Sequence, residues 1–156
     1  MEELYEYRRE LLDRYAATLQ DWEALLRSLS PAEIHAPRTV QGWSFHQALA
    51  HVRDVEAQAL APRIQCLADD LAVDFPHFDD QAWMELHYRP DEPVEAVLAE
   101  LAALRFRELE CLRTLPPQGW NRMARHPWHG VRTLMWWLER SLYHSLKHLD
   151  EVKQKS

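Results

Sequence analysis

Glycine, cysteine and long apolar runs are all scarce in this sequence. Only three glycines occur in 156 residues, and their wide separation excludes a glycine-rich phosphate-binding loop. Cys66 and Cys111 form no CxxC or zinc-ribbon spacing, so we expect two buried, reduced thiols rather than a disulfide framework. No apolar run approaches the roughly 20 residues that a membrane-spanning helix needs, so we expect no membrane partner.

Positive charge is also in short supply. Lys and Arg number 18 against 25 Asp and Glu, which gives a formal net charge of −7. Because nucleic-acid binding requires a concentrated basic surface, we expect no nucleic-acid partner. The first residues are acidic and lack the basic-then-apolar pattern of a secretion signal, which predicts a cytoplasmic protein.

Four long segments have the apolar periodicity of amphipathic helices. The predicted helices cover about residues 2–29, 44–71, 93–115 and 134–149. Ser44 with Gln47, and Ser30 with Glu33, have the spacing of a capping box, and Pro62 is expected to kink or divide the second helix. Without any strand pattern, the sequence predicts an all-α four-helix bundle that forms one domain over residues 1–156.

A long crossover, about residues 71–92, joins the second and third predicted helices. Pro76, Pro90 and Pro93, together with several Asp, interrupt the helical pattern, and we expect one helical turn near residues 79–86. Connections of this length are uncommon in compact domains unless they have a function, so the crossover is a candidate lid or pocket wall. Residues 118–129, which precede the last helix, are expected to be irregular.

A pair of histidines lies on the inward stripe of the last predicted helix. His144 and His148 are four residues apart, so their rings lean toward the same side with Cβ atoms about 6 Å apart. Buried imidazole nitrogens cost free energy without partners, and a divalent metal ion would satisfy them. His51 on the second helix can complete a three-histidine site with an open coordination position. Asp54, one turn later, is a candidate to orient an imidazole ring or to bind the metal directly, and the alternative is that it is a solvated surface acid.

Several other side chains are candidates for the walls of a pocket. The aromatic candidates are Trp83, Tyr88, Trp128, Trp137 and Tyr143. The other six histidines lie in connections or, in one case, on a different helix face from His51: they are His35, His46, His77, His87, His126 and His129. Of these six, His126 and His129 are the two expected to border a pocket mouth, because they lead into the last helix.

Short motifs along nearly the whole chain resemble those of the DinB/YfiT superfamily. The principal motifs are Trp43-Ser44 at a helix start, Ala50-His51, Asp54 and the final His144-x-x-x-His148-Leu149. Further similar stretches are Ala61-Pro62-Arg63-Ile64, Phe78-Asp79-Asp80-x-x-Trp83, and Gly119-Trp120 before His126-x-x-x-Gly130. The order and spacing of the three histidines are the most discriminating part of this resemblance.

The resemblance implies a four-helix bundle whose divalent metal is bound by His51, His144 and His148. It further implies that the metal is zinc or nickel, and that the protein acts on a low-molecular-weight thiol. Characterised members of the family are thiol-S-transferases or isomerases that use bacillithiol, mycothiol or glutathione. Family members are commonly dimers, so the resemblance also implies a homodimer.

A three-histidine metal site is compatible with more than one function. A thiol in the open metal position loses its proton and becomes a nucleophile, which predicts a transferase that joins it to an electrophilic substrate. A hydrolase would instead use water as the nucleophile and a carboxylate as the base. A third alternative is a non-catalytic, stress-related interaction protein whose metal site is vestigial or structural, or whose histidines pack without metal. An enzyme needs an open position that faces a cavity, whereas a structural site is closed or buried.

Overall fold

The computed structural model describes residues 2–71 and 74–153. Residues 72 and 73 of the predicted crossover, and the two ends of the predicted domain, lie outside the described part. The helices are α1 (Glu2–Ser28), α2 (Pro31–His35), α3 (Phe45–Val55), α4 (Ala61–Ala68), α5 (Asp80–His87), α6 (Val94–Arg113) and α7 (Leu134–Lys153). Because α3 and α4 are parts of one continuous helical segment, the four long helices form the predicted four-helix bundle, which confirms the fold class.

Capping boxes set the starts of two helices as predicted. The Ser44 hydroxyl accepts a hydrogen bond from the Gln47 N–H, and the Gln47 side chain accepts one from the Ser44 N–H. Ser30 and Glu33 form the same reciprocal pair at the start of α2. These bonds satisfy donors that a helix start leaves unpaired. The start of α3 at Phe45 places His51 almost two turns into the helix.

The second long helix passes Pro62 through a π-helical turn. Glu56–Leu60 forms this turn, and Pro62 lies in the first turn of α4. Proline has no N–H and its ring crowds the preceding turn, so a widened turn accommodates it without ending the helical segment. The turn also directs the Glu56 side chain into the bundle, where it is 1% exposed.

A two-stranded antiparallel hairpin lies in the connection before α7, where the sequence predicted irregular structure. Its strands are β1 (Met123–His126) and β2 (Gly130–Thr133), with Met123 opposite Thr133. The prediction that the chain has no strand was wrong, because four-residue strands are too short to show a clear alternation. Gly130 at φ +72° supports the sharp reversal, and the Leu134 N–H donates to Arg122 O (2.9 Å) where α7 begins.

The crossover is attached to both the hairpin and the bundle. The Phe75 N–H donates to Arg125 O of β1 (2.7 Å). Farther along, the Asp79 carboxylate accepts from the Ala82 N–H (3.0 Å) and caps α5, which agrees with the helical turn expected near residues 79–86. Helix α5 packs against α3, and this contact brings the crossover to the face of α3 that carries His51.

Apolar side chains from all four long helices form the core. The predicted inward stripe of the last helix is confirmed as buried, with its members at 0–1% exposure: Leu134, Trp137, Leu138, Ser141, Ser145 and Leu149. Cys66 and Cys111 are both free, as expected, but each is only partly buried, so the expectation that the two thiols are buried was wrong. Among the described helices, none has the length and apolarity needed to cross a membrane.

Candidate metal centre

The structure brings His51 of α3 together with His144 and His148 of α7. One ring nitrogen of each histidine lies within 4.8 Å of those of the other two. The Nε2 atoms of His51 and His144 are 3.1 Å apart, and the ring centroids of His51 and His148 are 4.6 Å apart. Two distant segments of the chain therefore meet at a cluster of three imidazoles.

The three imidazoles are neutral at neutral pH. Burial and, after it, the neighbouring His148 lower the pKa of His144 to about 2 and that of His51 to about 4. Burial also lowers the pKa of His148, although the Glu151 carboxylate partly opposes this. A neutral imidazole offers a nitrogen lone pair, which is the form that binds a metal ion.

Two carboxylates that sequence reasoning did not connect with the triad approach it in the structure. Glu151 Oε2 lies 3.2 Å from His148 Nδ1, and Asp80 Oδ2 lies 3.7 Å from His51 Nε2. An acceptor at Nδ1 fixes the tautomer and leaves Nε2 free for a metal, so Glu151 is suited to orient His148. The spacing His148-x-x-Glu151 could have indicated this pair, since residues three apart share a helix face. The sequence carried no comparable signal for Asp80.

Asp54 was the acid that the sequence suggested for this role. The structure places its carboxylate 2.9 Å from Arg53 Nε, in an ion pair. The Arg53 guanidinium also binds Glu92 at 2.7 Å, so Asp54 belongs to a charge cluster between α3 and the start of α6. The carboxylates that approach the triad are thus Asp80 and Glu151.

An open groove of about 640 Å³ is lined in part by the three histidines of the triad. Trp43 forms part of its wall, with its ring stacked on that of His148 (centroids 5.9 Å apart) and edge-on to that of His51 (5.0 Å). Residues of α5, including Gln81 and Met84, form the opposite wall. The crossover therefore walls the site, as its length suggested.

A second cavity of about 210 Å³ adjoins the groove. The residues common to both linings are Asp80, Arg140 and His144. Three of the five aromatic candidates line one of the two pockets: Tyr88 lines the groove, and Trp128 and Trp137 line the cavity. Trp83 instead stacks on His87 with the ring centroids 3.8 Å apart, and Tyr143 is 57% exposed. His126 and His129 lie in the wall of the cavity, as their position before α7 suggested.

The buried His46 has a separate structural role. Its Nδ1 is 2.6 Å from the Tyr88 hydroxyl and its Nε2 is 2.7 Å from Glu92 O. Both ring nitrogens are thus satisfied within the protein, so this histidine joins α3 to the end of the crossover. It lies on a different face of α3 from His51, as the sequence indicated.

The donor set fits a divalent metal ion. Two imidazole nitrogens bound to one tetrahedral zinc ion at about 2.0–2.1 Å would lie about 3.3–3.4 Å apart. The observed separation of 3.1 Å between His51 Nε2 and His144 Nε2 is close to this value. In the described part of the chain, the group with ligand spacing consists of the three histidines, and all three line the open groove. Such a set leaves at least one coordination position for water or a substrate.

Comparison with known proteins agrees with this architecture. YfiT from Bacillus subtilis, described as a probable metal-dependent hydrolase with an unusual four-helix bundle topology, superposes with a TM-score of 0.84 at 21% identity over 95% of this chain and 85% of YfiT. TT2238, described as a four-helix bundle protein, superposes with a TM-score of 0.66 at 27% identity over 94% of this chain and 98% of TT2238. None of the curated proteins compared with the chain gives a significant match. The model of the DinB superfamily matches residues 9–152, and the chain therefore belongs to that superfamily.

Proposed function

We propose that the protein is a metal-dependent enzyme whose His51, His144 and His148 bind one divalent ion, with zinc or nickel as the expected metals. The observation that carries this proposal is the approach of three ring nitrogens to within 4.8 Å of one another in the floor of an open groove. A metal ion bound there would lower the pKa of a thiol or a water molecule in its open position and so supply a nucleophile at neutral pH.

The residues around the triad support a metal site that is accessible and whose histidine rings have fixed orientations. Glu151 holds Nδ1 of His148, while Trp43 covers the rings of His148 and His51 from one side. The groove leaves the other side of the triad accessible to a small molecule. This openness argues against a closed structural site and hence against the non-catalytic alternative.

The reaction that we propose first is the transfer of a low-molecular-weight thiol to an electrophilic substrate. The groove and the cavity meet at His144, so two small molecules can approach the triad from different directions. The groove is lined by polar side chains that suit a peptide-like thiol of the bacillithiol, mycothiol or glutathione type: Gln41, Gln47, Gln81, Glu85 and Lys147. The smaller cavity would then receive the acceptor.

Hydrolysis is the second candidate, because Asp80 is placed to act as a base. Its carboxylate is 52% exposed and lies 3.7 Å from His51 Nε2, within reach of a water molecule that occupies the open position of the site. The description of the Bacillus subtilis relative as a probable metal-dependent hydrolase is in line with this alternative.

The first experiment is elemental analysis of protein purified without an affinity tag. About one equivalent of zinc or nickel is expected in the natural protein and in the His35→Ala control, whose histidine is exposed and does not belong to the triad. The His148→Ala variant should lose the metal. Absence of bound metal, together with no thermal shift on addition of Zn²⁺ or Ni²⁺, would refute the proposal.

The second experiment distinguishes the two nucleophiles with the Asp80→Asn variant. If water is the nucleophile, loss of the base should reduce hydrolysis of nitrophenyl acetate by about 10²–10⁴-fold. If a thiol is the nucleophile, conjugation of glutathione to chlorodinitrobenzene should change by less than about tenfold, because the metal itself promotes ionisation of the thiol. Glu85→Gln, another acid in the wall of the groove, is the matched control.

A further inference from the structure

The 210 Å³ cavity beside the triad contains charged groups that the proposed reaction does not use. Three of its side chains gather around the Trp137 ring. Arg63 Cζ is 4.9 Å from the ring centroid, and the rings of His126 and His129 are centred 5.6 and 5.8 Å from it. The tryptophan thus forms a flat apolar surface with cationic and imidazole groups around it.

Arg63 is half-buried in this wall without a carboxylate partner. Its Nη2 donates to Pro76 O (3.0 Å), and its guanidinium also lies 5.9 Å from the Phe75 ring. No ion pair is recorded for it within residues 2–71 and 74–153. Desolvation lowers its pKa, with no acid to oppose the effect. A guanidinium in this setting gains more from an anionic ligand than a fully hydrated one does.

His126 presents a fixed hydrogen-bond donor to the same cavity. The ring is only 3% exposed, and Nδ1 accepts hydrogen bonds from the N–H groups of Trp128 (3.1 Å) and His129 (3.3 Å). Burial and, after it, Arg63 lower the pKa of His126 to about 4, so the ring is neutral and its single proton resides on Nε2. Within the described chain this Nε2 has no recorded hydrogen-bond partner.

Arg140 connects this region with the triad along α7. It follows Trp137 by three residues and precedes His144 by four, so the three side chains share one helix face. A rise of about 1.5 Å per residue places Trp137 and His144 about 10 Å apart along the axis. Among the described residues that line the cavity, Asp80 is the one with a carboxylate, and it lies at the end beside His51. The end of the cavity near Arg63 is therefore positively charged, whereas the end near the triad contains the Asp80 carboxylate.

We infer that this cavity binds the oxyanion group of a small organic substrate, a carboxylate or a phosphate monoester, between Arg63 and His126 on the Trp137 ring. Arg140 attracts the anion and lies between this position and His144. The assignment of a reacting group to the triad end rests on the proposed function, whereas the oxyanion position itself does not. Substrates would then carry an anionic group up to about 10 Å from the reacting atom.

The test is binding of benzoate, phenyl phosphate and neutral benzamide to protein freed of metal with EDTA, measured by calorimetry and by quenching of tryptophan fluorescence. At least one of the two anions should bind at least about tenfold more tightly than benzamide, because a hydrogen bond to an ionised group is stronger than one to a neutral group. The anion that binds identifies the oxyanion class. Arg63→Met should weaken its binding by about tenfold or more.

The Arg9→Met variant is the matched control, because it removes the same charge from an exposed site on α1 and should leave anion binding within about twofold. If Arg63→Met does not fold, Arg140→Met at an exposed position of α7 takes its place, with weaker anion binding again expected. Equal binding of anion and amide, no binding at millimolar concentrations, or equal losses in the Arg63 and Arg9 variants would overturn the inference.

This design separates the oxyanion site from the metal chemistry. Anion binding that depends on Arg63 but persists without metal supports the inference even if the triad binds no metal. Anion binding that disappears with EDTA and is insensitive to Arg63 would place the anion on the metal and overturn the inference. The proposed function could still hold in that case.

Discussion

Replacement of Arg105 by Met should strongly destabilise the bundle. This arginine of α6 is fully buried and donates to both carboxylate oxygens of Glu56 (2.7 and 3.1 Å). Its Nη1 also donates to Tyr15 O (2.9 Å) and to Thr18 Oγ1 (2.7 Å). The guanidinium therefore links α6 to α1 and to the π-helical turn that follows α3.

The expected cost follows from the charge that remains behind. Without Arg105, the Glu56 carboxylate is buried beside a second acid, Glu108, with no cation to compensate it. Removal of one partner from a buried ion pair costs about 3–5 kcal/mol. For a domain of this size, each kcal/mol lowers the melting temperature by about 2–4 °C, so we expect a decrease of about 6–20 °C.

The assay is urea unfolding followed by tryptophan fluorescence, in a double-mutant cycle with Glu56→Gln. The single Glu56→Gln variant should cost less than Arg105→Met, because Glu108 can ionise and replace the lost counter-charge of Arg105. The double variant should also be more stable than Arg105→Met, because it contains no isolated buried charge. Arg107→Met, at an exposed position on the same helix, is the control and should change stability by less than about 0.5 kcal/mol.

Two results would refute this reasoning. One is a cost below about 1 kcal/mol for Arg105→Met, which would mean that water or a rearranged side chain compensates Glu56. The other is an equal cost of Arg105→Met in the natural and Glu56→Gln backgrounds, because independent sites add whereas coupled sites do not.

Three further predictions concern single side chains. Burial and then Glu56 raise the pKa of Glu108 well above its ordinary 4.5, so the folded state retains a proton that the unfolded state loses. The stability that this proton contributes is complete below pH 4.5 and declines as the pH rises, so Glu108→Gln should gain stability relative to the natural protein as the pH rises above about 4.5 in urea unfolding. Ser44→Ala removes a helix cap and should cost about 1 kcal/mol in the same assay. Glu151→Gln should weaken metal affinity by about 10–100-fold in a competition titration, because it disturbs the orientation of His148.

Each of these three predictions has a control variant or a result that would contradict it. A constant stability difference between Glu108→Gln and the natural protein across that pH range would mean that Glu108 ionises normally. Ser30→Ala removes the same kind of cap from the five-residue α2, which has no buried residue, and should cost less than Ser44→Ala. Glu139→Gln removes a partly exposed acid of α7 that accepts a hydrogen bond from the Tyr7 hydroxyl, and it should leave metal affinity unchanged. Equal metal affinities of the Glu151→Gln and Glu139→Gln variants would mean that Glu151 does not support metal binding.

Local features of the fold were predictable because their causes are local. A capping box involves residues three positions apart, and an inward stripe repeats within one helix, so Ser44 and the buried face of α7 follow from sequence spacing. The same periodicity missed two buried charged residues on α6. Arg105 and Glu108 are polar, and only their partners on other helices, such as Tyr15, make their burial tolerable.

The candidate metal centre was predictable in part. Spacing placed His144 and His148 on one helix face, the position of His51 on the second helix made it the third candidate, and the family resemblance supported the three together. Asp54 was chosen because it follows His51 by one turn, yet its neighbour Arg53 binds it. The acid at that end of the site comes instead from α5 in the crossover.

The helical class, the starts of the helices and the candidate histidines follow from the amino-acid sequence alone, because helix geometry converts residue spacing directly into position on a face. The residues that surround those histidines depend on how the helices pack together. Asp80 reaches the triad because α5 packs on α3, and Arg63 meets His126 because the hairpin and α4 both pack against α7 near Trp137. These contacts join residues far apart in the chain, and no local periodicity encodes such distances.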